Sequence, residues 1–144
     1  MGMDVDRIIR YKEKANIIFK RADQIEEWAL DIPPDQFHGD DKTKLATYKA
    51  FQEIVEGAMD MVAMMCRDSG LVPKDDCSNI ESLDLEPQRR VALLEGGALR
   101  NRLVHRYNKT DDRIALESMR ALLPEIKGFA KEAGSWVLKR SGEE

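Results

Sequence analysis

Apolar residues recur at three- and four-residue steps along most of the chain, which is the spacing of one face of an α-helix. Four long segments carry such a stripe. They run from about Asp4 to Leu30, from Lys42 to Ser69, from Pro87 to Tyr107, and from a cap at Asp111 to about Lys139. A strand pattern is almost absent. The sequence therefore predicts an all-α protein with four long helices.

Short polar segments separate these predicted helices. Pro33 and Pro34 end the first helix, because proline interrupts helical hydrogen bonding, and residues 33–43 are predicted to form a polar loop. The connector after the second helix is predicted to hold a short helical turn from about Ser78 to Leu83. Short connections between long helices favour antiparallel neighbours. We expect an up-and-down antiparallel bundle of four long helices with a short connector helix.

The length and composition of the chain fit one folded domain, residues 1–144, with 42% hydrophobic and 35% charged residues. No apolar run reaches the roughly 18 residues that span a bilayer, and no signal-peptide pattern begins the chain, so we expect a cytoplasmic protein without a membrane partner. Cys66 and Cys77 have no neighbouring histidine and are predicted to be free thiols. Neither a metal site nor a cofactor is expected.

Two glycines in the predicted third helix leave alternatives open. Gly96 and Gly97 lie inside the third helix, where each costs roughly 1 kcal/mol relative to alanine. They mark either a tolerated weak point or a place where another helix or a ligand comes close.

A methionine cluster in the second helix is predicted to fill the core rather than to form a binding surface. It consists of Met59, Met61, Met64 and Met65.

Positive charge collects in one part of the chain. From Gln88 to Arg113 there are seven basic and three acidic residues, so this segment carries +4 while the remainder carries −8, for a net charge of −4. The net charge argues weakly against a nucleic-acid partner, whereas its distribution favours a basic surface. The segment is either an ordinary solvated helix face or a surface for RNA. Its candidate RNA-binding residues are Arg90, Arg102, Arg106 and Lys109.

The same segment ends in a compact set of polar side chains: Arg100, Asn101, His105 and Tyr107. Arginine is a permanent planar cation that suits phosphate, and histidine is the side chain best suited to move protons near neutral pH. The second of the two histidines in the chain is His38, in the predicted loop. On an ideal helix Arg100 and Tyr107 would lie within about 20° of each other, so that Tyr107 would project beside the phosphate-binding group.

These side chains could cleave a phosphodiester bond in RNA. His105 could take a proton from the ribose 2′-hydroxyl or give one to the departing 5′-oxygen. Arg100 could hold the phosphate, and Asn101 could orient His105 or bind a phosphate oxygen. A second proton-transfer group could come from a twin motif across a two-fold axis or from water. On spacing alone, the alternative is that the arginine and histidine only satisfy carbonyl groups at the helix end.

The stretch from Gly97 to Tyr107, GALRNRLVHRY, resembles the signature of the HepT-like branch of HEPN-domain ribonuclease toxins. That signature is an arginine, a polar residue, three further residues, a histidine, any residue and a tyrosine. Arg100, Asn101, His105 and Tyr107 match each of these positions. Residues 45–56 and the final helix are also similar to the family, and the resemblance covers about residues 5–138.

The resemblance implies a HEPN-like bundle that forms a homodimer with its two motifs facing across a cleft. It implies a metal-independent endoribonuclease that acts on RNA through Arg100, Asn101 and His105, as the toxin of a type II or type VII toxin–antitoxin pair. The implied antitoxin is a minimal nucleotidyltransferase (MNT), which can silence the toxin by adding AMP to the motif tyrosine, here Tyr107.

Two alternatives to this interpretation belong to other functional classes. The first is a non-catalytic HEPN module that binds a nucleotide or a nucleotidyltransferase partner. The second is a plain helical interaction protein.

Overall fold

A computed structural model describes residues 4–142, and this range contains helices and no strand. The helices are α1 (Val5–Ala29), α2 (Pro34–Gly39), α3 (Asp41–Asp68), α4 (Asp76–Ser82), α5 (Pro87–His105) and α6 (Asp112–Ser141). A 3-10 turn, Tyr107–Lys109, connects α5 to α6. The predicted all-α class, the four long helices and the short connector helix are confirmed.

The contacts between α1 and α3 show that these helices are antiparallel. Arg7 and Tyr11, near the start of α1, both bond to Asp68 at the end of α3, with distances of 2.7 Å each. Arg21, near the end of α1, bonds instead to Glu53 in the middle of α3. The two helices therefore pass each other in opposite directions along their length.

The other two long helices complete an up-and-down bundle. Tyr48, near the start of α3, bonds to Asp112 at the start of α6, and Arg140 near the end of α6 bonds to the carbonyl of Asp68. Thus α3 and α6 are parallel. Arg89, near the start of α5, bonds to Glu132 near the end of α6, so these two helices are antiparallel. Successive long helices alternate in direction, as the sequence predicted.

The core lies around α3, which packs against every other helix of the described range. Its predicted methionine cluster belongs to this core, since Met59, Met61 and Met65 are buried and Met64 is partly buried against it. The two thiols are free, with Cys66 buried and Cys77 exposed. Between residues 4 and 142, no helix combines the length and apolar character that crossing a membrane requires.

The predicted loop at residues 33–43 is wrong, because six of these residues form α2. Pro34 occupies the first turn of α2, where its fixed φ is compatible with a helix. Phe37 is completely buried, and its ring lies 5.8 Å from the ring of Tyr48 in an edge-on arrangement. Burial of this aromatic ring holds α2 against the bundle. The sequence did not predict α2 because a single buried apolar residue in a six-residue helix shows no helical periodicity.

The predicted end of the third long helix is also wrong, because α5 stops at His105 and does not reach Tyr107. Arg106 has φ −133° and ψ 34°, which are not helical values. Its carbonyl oxygen then accepts hydrogen bonds from the Lys109 amide at 2.9 Å and the Thr110 hydroxyl at 3.0 Å. These bonds fix the 3-10 turn. The expected 20° relation between Arg100 and Tyr107 therefore does not apply, because Tyr107 lies outside the regular helix.

Gly96 and Gly97 allow close approach of other helices to α5. A Cβ atom on Gly96 would lie 3.3 Å from Cδ1 of Ile126 on α6, and one on Gly97 would lie 3.3 Å from Cε of Met59 on α3. Of the alternatives that the sequence left open, the structure favours close approach by neighbouring helices of the same chain. This tight packing fixes α5, and with it the polar motif, against the bundle.

Candidate functional site

The orientation of α5 follows from two leucines one helical turn apart. Leu99 and Leu103 are buried, with 2% and 7% of their surface exposed. Residues two positions further along lie about 200° around the helix, so they face away from the core. Asn101 and His105 occupy these positions, and both are exposed. The buried leucines thus present the amide and the imidazole together on the outer face of α5.

Arg100 lies at the border between the core and the surface. Its side chain is 21% exposed, and its nearest carboxylate is that of Asp76 at the start of α4, with 3.8 Å between Nη2 and Oδ2. This distance is too long for a hydrogen bond. The Nε atom of Arg100 is buried and has no hydrogen-bond partner in residues 4–142. Because Nε is buried, a phosphate could reach only the terminal nitrogens of the guanidinium, whose separation from Asp76 is too long for a hydrogen bond.

The motif is not gathered on one face of a single chain. Asn101 and His105 are four residues apart and lie about 40° from each other around the helix axis. Arg100 and His105 are five residues apart and lie about 140° from each other. The structure therefore brings Asn101 and His105 together, while Arg100 is directed towards the α4 side.

The positive charge of the segment is concentrated more sharply than the sequence indicates. Arg89 forms ion pairs with Glu125 and Glu132, and Arg113 pairs with Asp35, so these cations are compensated. By contrast, three cations around the end of α5 are exposed and make no ion pair within the described part of the chain. They are Arg102, Arg106 and Lys109. Arg106 and Lys109 also line an open pocket of about 650 Å³ formed by residues 104–109.

Arg90, the fourth predicted RNA-binding residue, has a different environment. It lies ten residues before Arg100, about 15 Å along the helix axis. Its Nη2 atom donates hydrogen bonds to the carbonyl oxygens of Leu83 and Leu85, both at 3.3 Å. Arg90 therefore stabilises the connection between α4 and α5, and its guanidinium is less available than that of Arg102.

Tyr107 lies in a partly buried seat formed by α3. Its ring packs edge-on against the ring of Tyr48, with 5.9 Å between the ring centroids and 80° between the planes. The ammonium group of Lys44 lies 5.9 Å from the centroid of the Tyr107 ring. The 3-10 turn thus directs this side chain back towards the bundle, whereas His105 faces outwards.

A buried polar cluster centred on Asp112 lies directly behind this seat. Oδ2 of Asp112 accepts a hydrogen bond from Nζ of Lys44 at 3.0 Å and lies 2.7 Å from Nδ1 of His38. Oδ1 accepts a hydrogen bond from the Tyr48 hydroxyl at 2.5 Å. Asp112 and Lys44 are only 7% and 8% exposed. The cluster joins α2, α3 and α6 next to the end of α5.

The apolar periodicity of the sequence does not reveal this cluster. Tyr48 falls on the apolar stripe of its helix, and Asp112 directly follows the helix cap Asp111. One signal was available, since Lys44 precedes Tyr48 by one helical turn and therefore lies on the same buried face. A lysine at such a position requires a carboxylate partner, because an unpaired buried charge is strongly unfavourable.

The pKa values of the cluster reflect competition between burial and pairing. Burial alone would raise the pKa of Asp112, but hydrogen bonds from Tyr48, Lys44 and His38 hold it below the ordinary carboxyl value. Burial alone would lower the pKa of Lys44, but the hydrogen bond and charge of Asp112 raise it above the ordinary lysine value. Burial, followed by the hydrogen bond to Asp112, raises the pKa of Tyr48. Asp112 and Lys44 are therefore both charged near neutral pH.

The residues at the end of α5 supply a partly exposed guanidinium, an exposed imidazole and a basic surface. No group of three or more His, Cys, Asp or Glu residues that could hold a metal ion occurs between residues 4 and 142.

Comparison with known proteins identifies relatives over most of the chain. A family model described as "Ribonuclease HepT-like" matches residues 18–133. An Archaeoglobus fulgidus protein named "Putative RNase" is 32% identical over 117 residues, which is 76% of this chain and 80% of that protein. A protein of Methanocaldococcus jannaschii with a similar name is 39% identical over 66 residues, or 43% of this chain and 76% of that protein.

A solved structure is similar to this chain in fold. It is a tri-AMPylated Shewanella oneidensis HEPN toxin in complex with an MNT antitoxin, and it aligns with a TM-score of 0.76 at 20% identity. The alignment covers 90% of this chain and 96% of the HEPN toxin chain. The similarity confirms the predicted HEPN-like arrangement of helices.

The Asp112 cluster predicts how stability changes with pH. A carboxyl group with a lowered pKa in the folded state stabilises the protein above its unfolded pKa of about 3.9, and this contribution is lost as pH falls through the folded-state pKa. A lysine with a raised pKa stabilises below its unfolded pKa of about 10.4, and this contribution is lost as pH rises through the folded-state pKa. Asp112→Asn removes the carboxylate on which both contributions depend.

We expect Asp112→Asn to lower the free energy of unfolding at pH 7 by about 3 kcal/mol, because it leaves the buried Lys44 ammonium without its carboxylate. The loss of stability from pH 5 to pH 2 should be smaller in the variant than in the wild type. Urea denaturation over this range measures both quantities. Equal stability at pH 7 and an unchanged acid dependence would contradict the assigned pairing.

Proposed function

Because this chain belongs to the HepT-like ribonuclease family, we propose that it is a toxin with endoribonuclease activity that cleaves RNA without a metal ion. The observation that carries the proposal is the exposed end of α5, where Asn101 and His105 share one face. Arg100 lies on the α4 side of the same helix end, with its side chain 21% exposed and its approach to Asp76 too long for a hydrogen bond. In this proposal these three residues form the catalytic set.

RNA would bind first to the basic surface around the motif. Arg106 and Lys109 line the open pocket formed by residues 104–109, Arg102 is exposed one helical turn before Arg106, and each can contact a phosphate of the RNA backbone. Arg90 would contact the RNA only at its edge, because its guanidinium also bonds to the α4–α5 connection. The acidic remainder of the chain would direct the RNA towards this surface.

The proposed cleavage uses the ribose of the substrate as the nucleophile. The 2′-oxygen loses its proton and forms a bond to phosphorus, while the bond from phosphorus to the 5′-oxygen breaks and that oxygen gains a proton. His105 would perform one of these two proton transfers. Arg100 would bind the non-bridging oxygens, on which negative charge increases in the transition state, and Asn101 would orient the imidazole.

We propose that two copies form the complete site. Arg100 and His105 of one chain point in directions about 140° apart, so a phosphate between two copies is better placed to meet both groups. Towards its outer face α5 also carries an apolar stripe at heptad-like spacing, formed by the exposed Val91 and Ala98 and the partly buried Leu94, which leads to Asn101 and His105. A second copy packed on this stripe would bring two motifs together across a shared cleft, where Arg100 of one copy and His105 of the other meet the same phosphate.

A minimal nucleotidyltransferase is the proposed antitoxin, and Tyr107 is its proposed target. The HEPN toxin of similar fold is AMPylated and lies in complex with an MNT antitoxin. In this chain Tyr107 lies between Arg106 and Lys109 in sequence, beside the open pocket. An AMP group on its hydroxyl would add a negative phosphate and a bulky nucleoside where RNA must bind, so it would compete for the same cations.

A non-catalytic HEPN module that binds a nucleotide or a nucleotidyltransferase is the second candidate function. The angular separation of Arg100 and His105 favours it for a chain that stays monomeric, because one copy alone does not direct both groups to one phosphate. The two functions differ in whether the purified protein cleaves RNA.

For catalysis, we expect His105→Ala to reduce cleavage of a labelled RNA by about 10²–10⁴-fold, the usual contribution of general acid–base catalysis. Arg100→Lys should also lose most activity, because an ammonium group lacks the planar fork that binds two phosphate oxygens. Cleavage should be measured in EDTA, with Arg67→Lys as the control, since Arg67 is exposed near the opposite end of α3.

Full activity of the His105→Ala variant would contradict the catalytic assignment. Activity that EDTA abolishes and magnesium restores would contradict metal independence. A wild-type protein that leaves RNA intact in both conditions would favour the non-catalytic module.

For assembly, light scattering at micromolar concentration should give about twice the 16.5 kDa chain mass. Val91→Glu places a charge on the apolar stripe and should shift the protein to monomers with reduced cleavage. Ile9→Glu is the matched control, because Ile9 is 46% exposed and Val91 is 51% exposed, but Ile9 lies on α1. A Val91→Glu dimer, or a monomer that cleaves at the full rate, would argue against the shared cleft.

For regulation, co-expression with the cognate nucleotidyltransferase should add the mass of one or more AMP units to the chain, located on Tyr107 by peptide mapping. Tyr107→Phe should remove this modification. Intact mass spectrometry of the co-expressed chain and its variant provides the measurement. An unmodified Tyr107 in a fully neutralised complex would mean that the partner inhibits by covering the site.

A further inference from the structure

We propose that Asp112 is a positioning residue for Tyr107. Through Lys44 and Tyr48 it fixes the seat in which the tyrosine ring lies, and it thereby sets how the Tyr107 hydroxyl is presented to the modifying enzyme. The consequence for modification rests on the proposed function of Tyr107, whereas the effect on the seat does not.

The first step concerns the two groups that line the seat. The Tyr48 ring contacts the Tyr107 ring edge-on, and the Lys44 ammonium lies 5.9 Å from its centroid. Both groups come from α3, while Tyr107 belongs to a 3-10 turn outside the regular helices. The turn itself has three residues and little packing of its own, so the contacts with α3 determine where the Tyr107 ring lies.

The second step concerns what holds these two groups in place. Lys44 and Tyr48 each bond to a different oxygen of Asp112, so one carboxylate fixes both sides of the seat. The other carboxylate near Lys44 is that of Asp41 at 3.4 Å, which is 85% exposed and therefore screened by water. Without the Asp112 charge, the Lys44 ammonium would turn towards solvent and the Tyr48 hydroxyl would keep at most a neutral, weaker acceptor.

The third step concerns the orientation of Asp112 itself. Asp112 is the first residue of α6 and follows the 106–111 connection, so it is attached by the backbone to the segment that carries Tyr107. Nδ1 of His38 on α2 lies 2.7 Å from Oδ2, the oxygen that also accepts the hydrogen bond from Lys44, and so restrains the carboxylate from α2. Asp112 therefore couples the turn that carries Tyr107 to the α3 side chains that receive it.

The chain contains a matched cluster that separates positioning from general stability. Asp68 accepts hydrogen bonds from the Tyr11 hydroxyl and from Arg7, both at 2.7 Å, which repeats the combination of tyrosine, carboxylate and cation. Asp68 lies twenty residues after Tyr48 on α3, about 30 Å along the helix axis. Asp68→Asn should disturb stability in a comparable way while it leaves the seat of Tyr107 unchanged.

The first experiment measures the environment of the Tyr107 ring by ¹⁹F NMR of the full chain labelled with 3-fluorotyrosine. The chain has three tyrosines, Tyr11, Tyr48 and Tyr107, so each resonance can be assigned by substitution with phenylalanine. In Asp112→Asn we expect the Tyr107 resonance to move towards that of free fluorotyrosine and the Tyr11 resonance to stay. In Asp68→Asn we expect the reverse. A Tyr107 resonance that is unchanged in folded Asp112→Asn would overturn the proposal.

The second experiment measures the initial rate of AMP addition to Tyr107 by the nucleotidyltransferase. Asp112→Asn should lower the rate by about 10-fold, since small displacements of a reacting group have effects of this size, and Asp68→Asn should leave it unchanged. Tyr48→Phe keeps the ring and loses only the hydroxyl, so it should show a smaller shift and a smaller loss of rate. It also provides the test if Asp112→Asn does not fold.

The two experiments distinguish this inference from the proposed function. Absence of AMP on the wild-type chain would contradict the proposed modification, while the NMR result would still decide whether Asp112 positions Tyr107. Equal rates of AMP addition for the wild type, Asp112→Asn and Tyr48→Phe would overturn the positioning role even if Tyr107 is the modified residue.

Discussion

The buried carboxylate of Asp112 is the constraint on which the arrangement around the motif depends. A charge that is 7% exposed is tolerated only when it is paired, and here its partners come from α2 and α3. The pairing therefore requires three helices to meet at the start of α6. This meeting point lies next to the end of α5, so the same interaction determines where the turn that carries Tyr107 is held.

The proposed function depends on how α5 is held between this cluster and the core. Close packing at Gly96 and the buried Leu99 and Leu103 fix the rotation of α5, so that Asn101 and His105 must face outwards. Arg106 then leaves helical geometry, and Tyr107 turns back towards α3. His105 and Tyr107 nevertheless line the same open pocket, so a group added to the proposed site of modification could block the proposed RNA site without refolding the segment.

The sequence predicts the parts of this arrangement that depend on local pattern. The four long helices follow from apolar periodicity, and Arg100, Asn101 and His105 were placed correctly near the end of α5. Helix α2 was not predicted because it has one buried residue, Phe37, and a single buried residue forms no periodic pattern. The end of α5 was missed because Arg106 is neither glycine nor proline and gives no stop signal. The pair of Lys44 and Asp112 joins positions 68 residues apart, and a contact of this range leaves no local pattern.

The most direct test of the shared RNA-cleaving site is to mix two variants that are each inactive, Arg100→Lys and His105→Ala, and to measure RNA cleavage in EDTA. A mixed dimer contains one intact Arg100 and one intact His105 on different copies. If the cleft is shared, the mixture should regain activity that neither variant has alone. A mixture that forms dimers and remains as inactive as its components would show that each chain depends on its own pair, which contradicts the shared site.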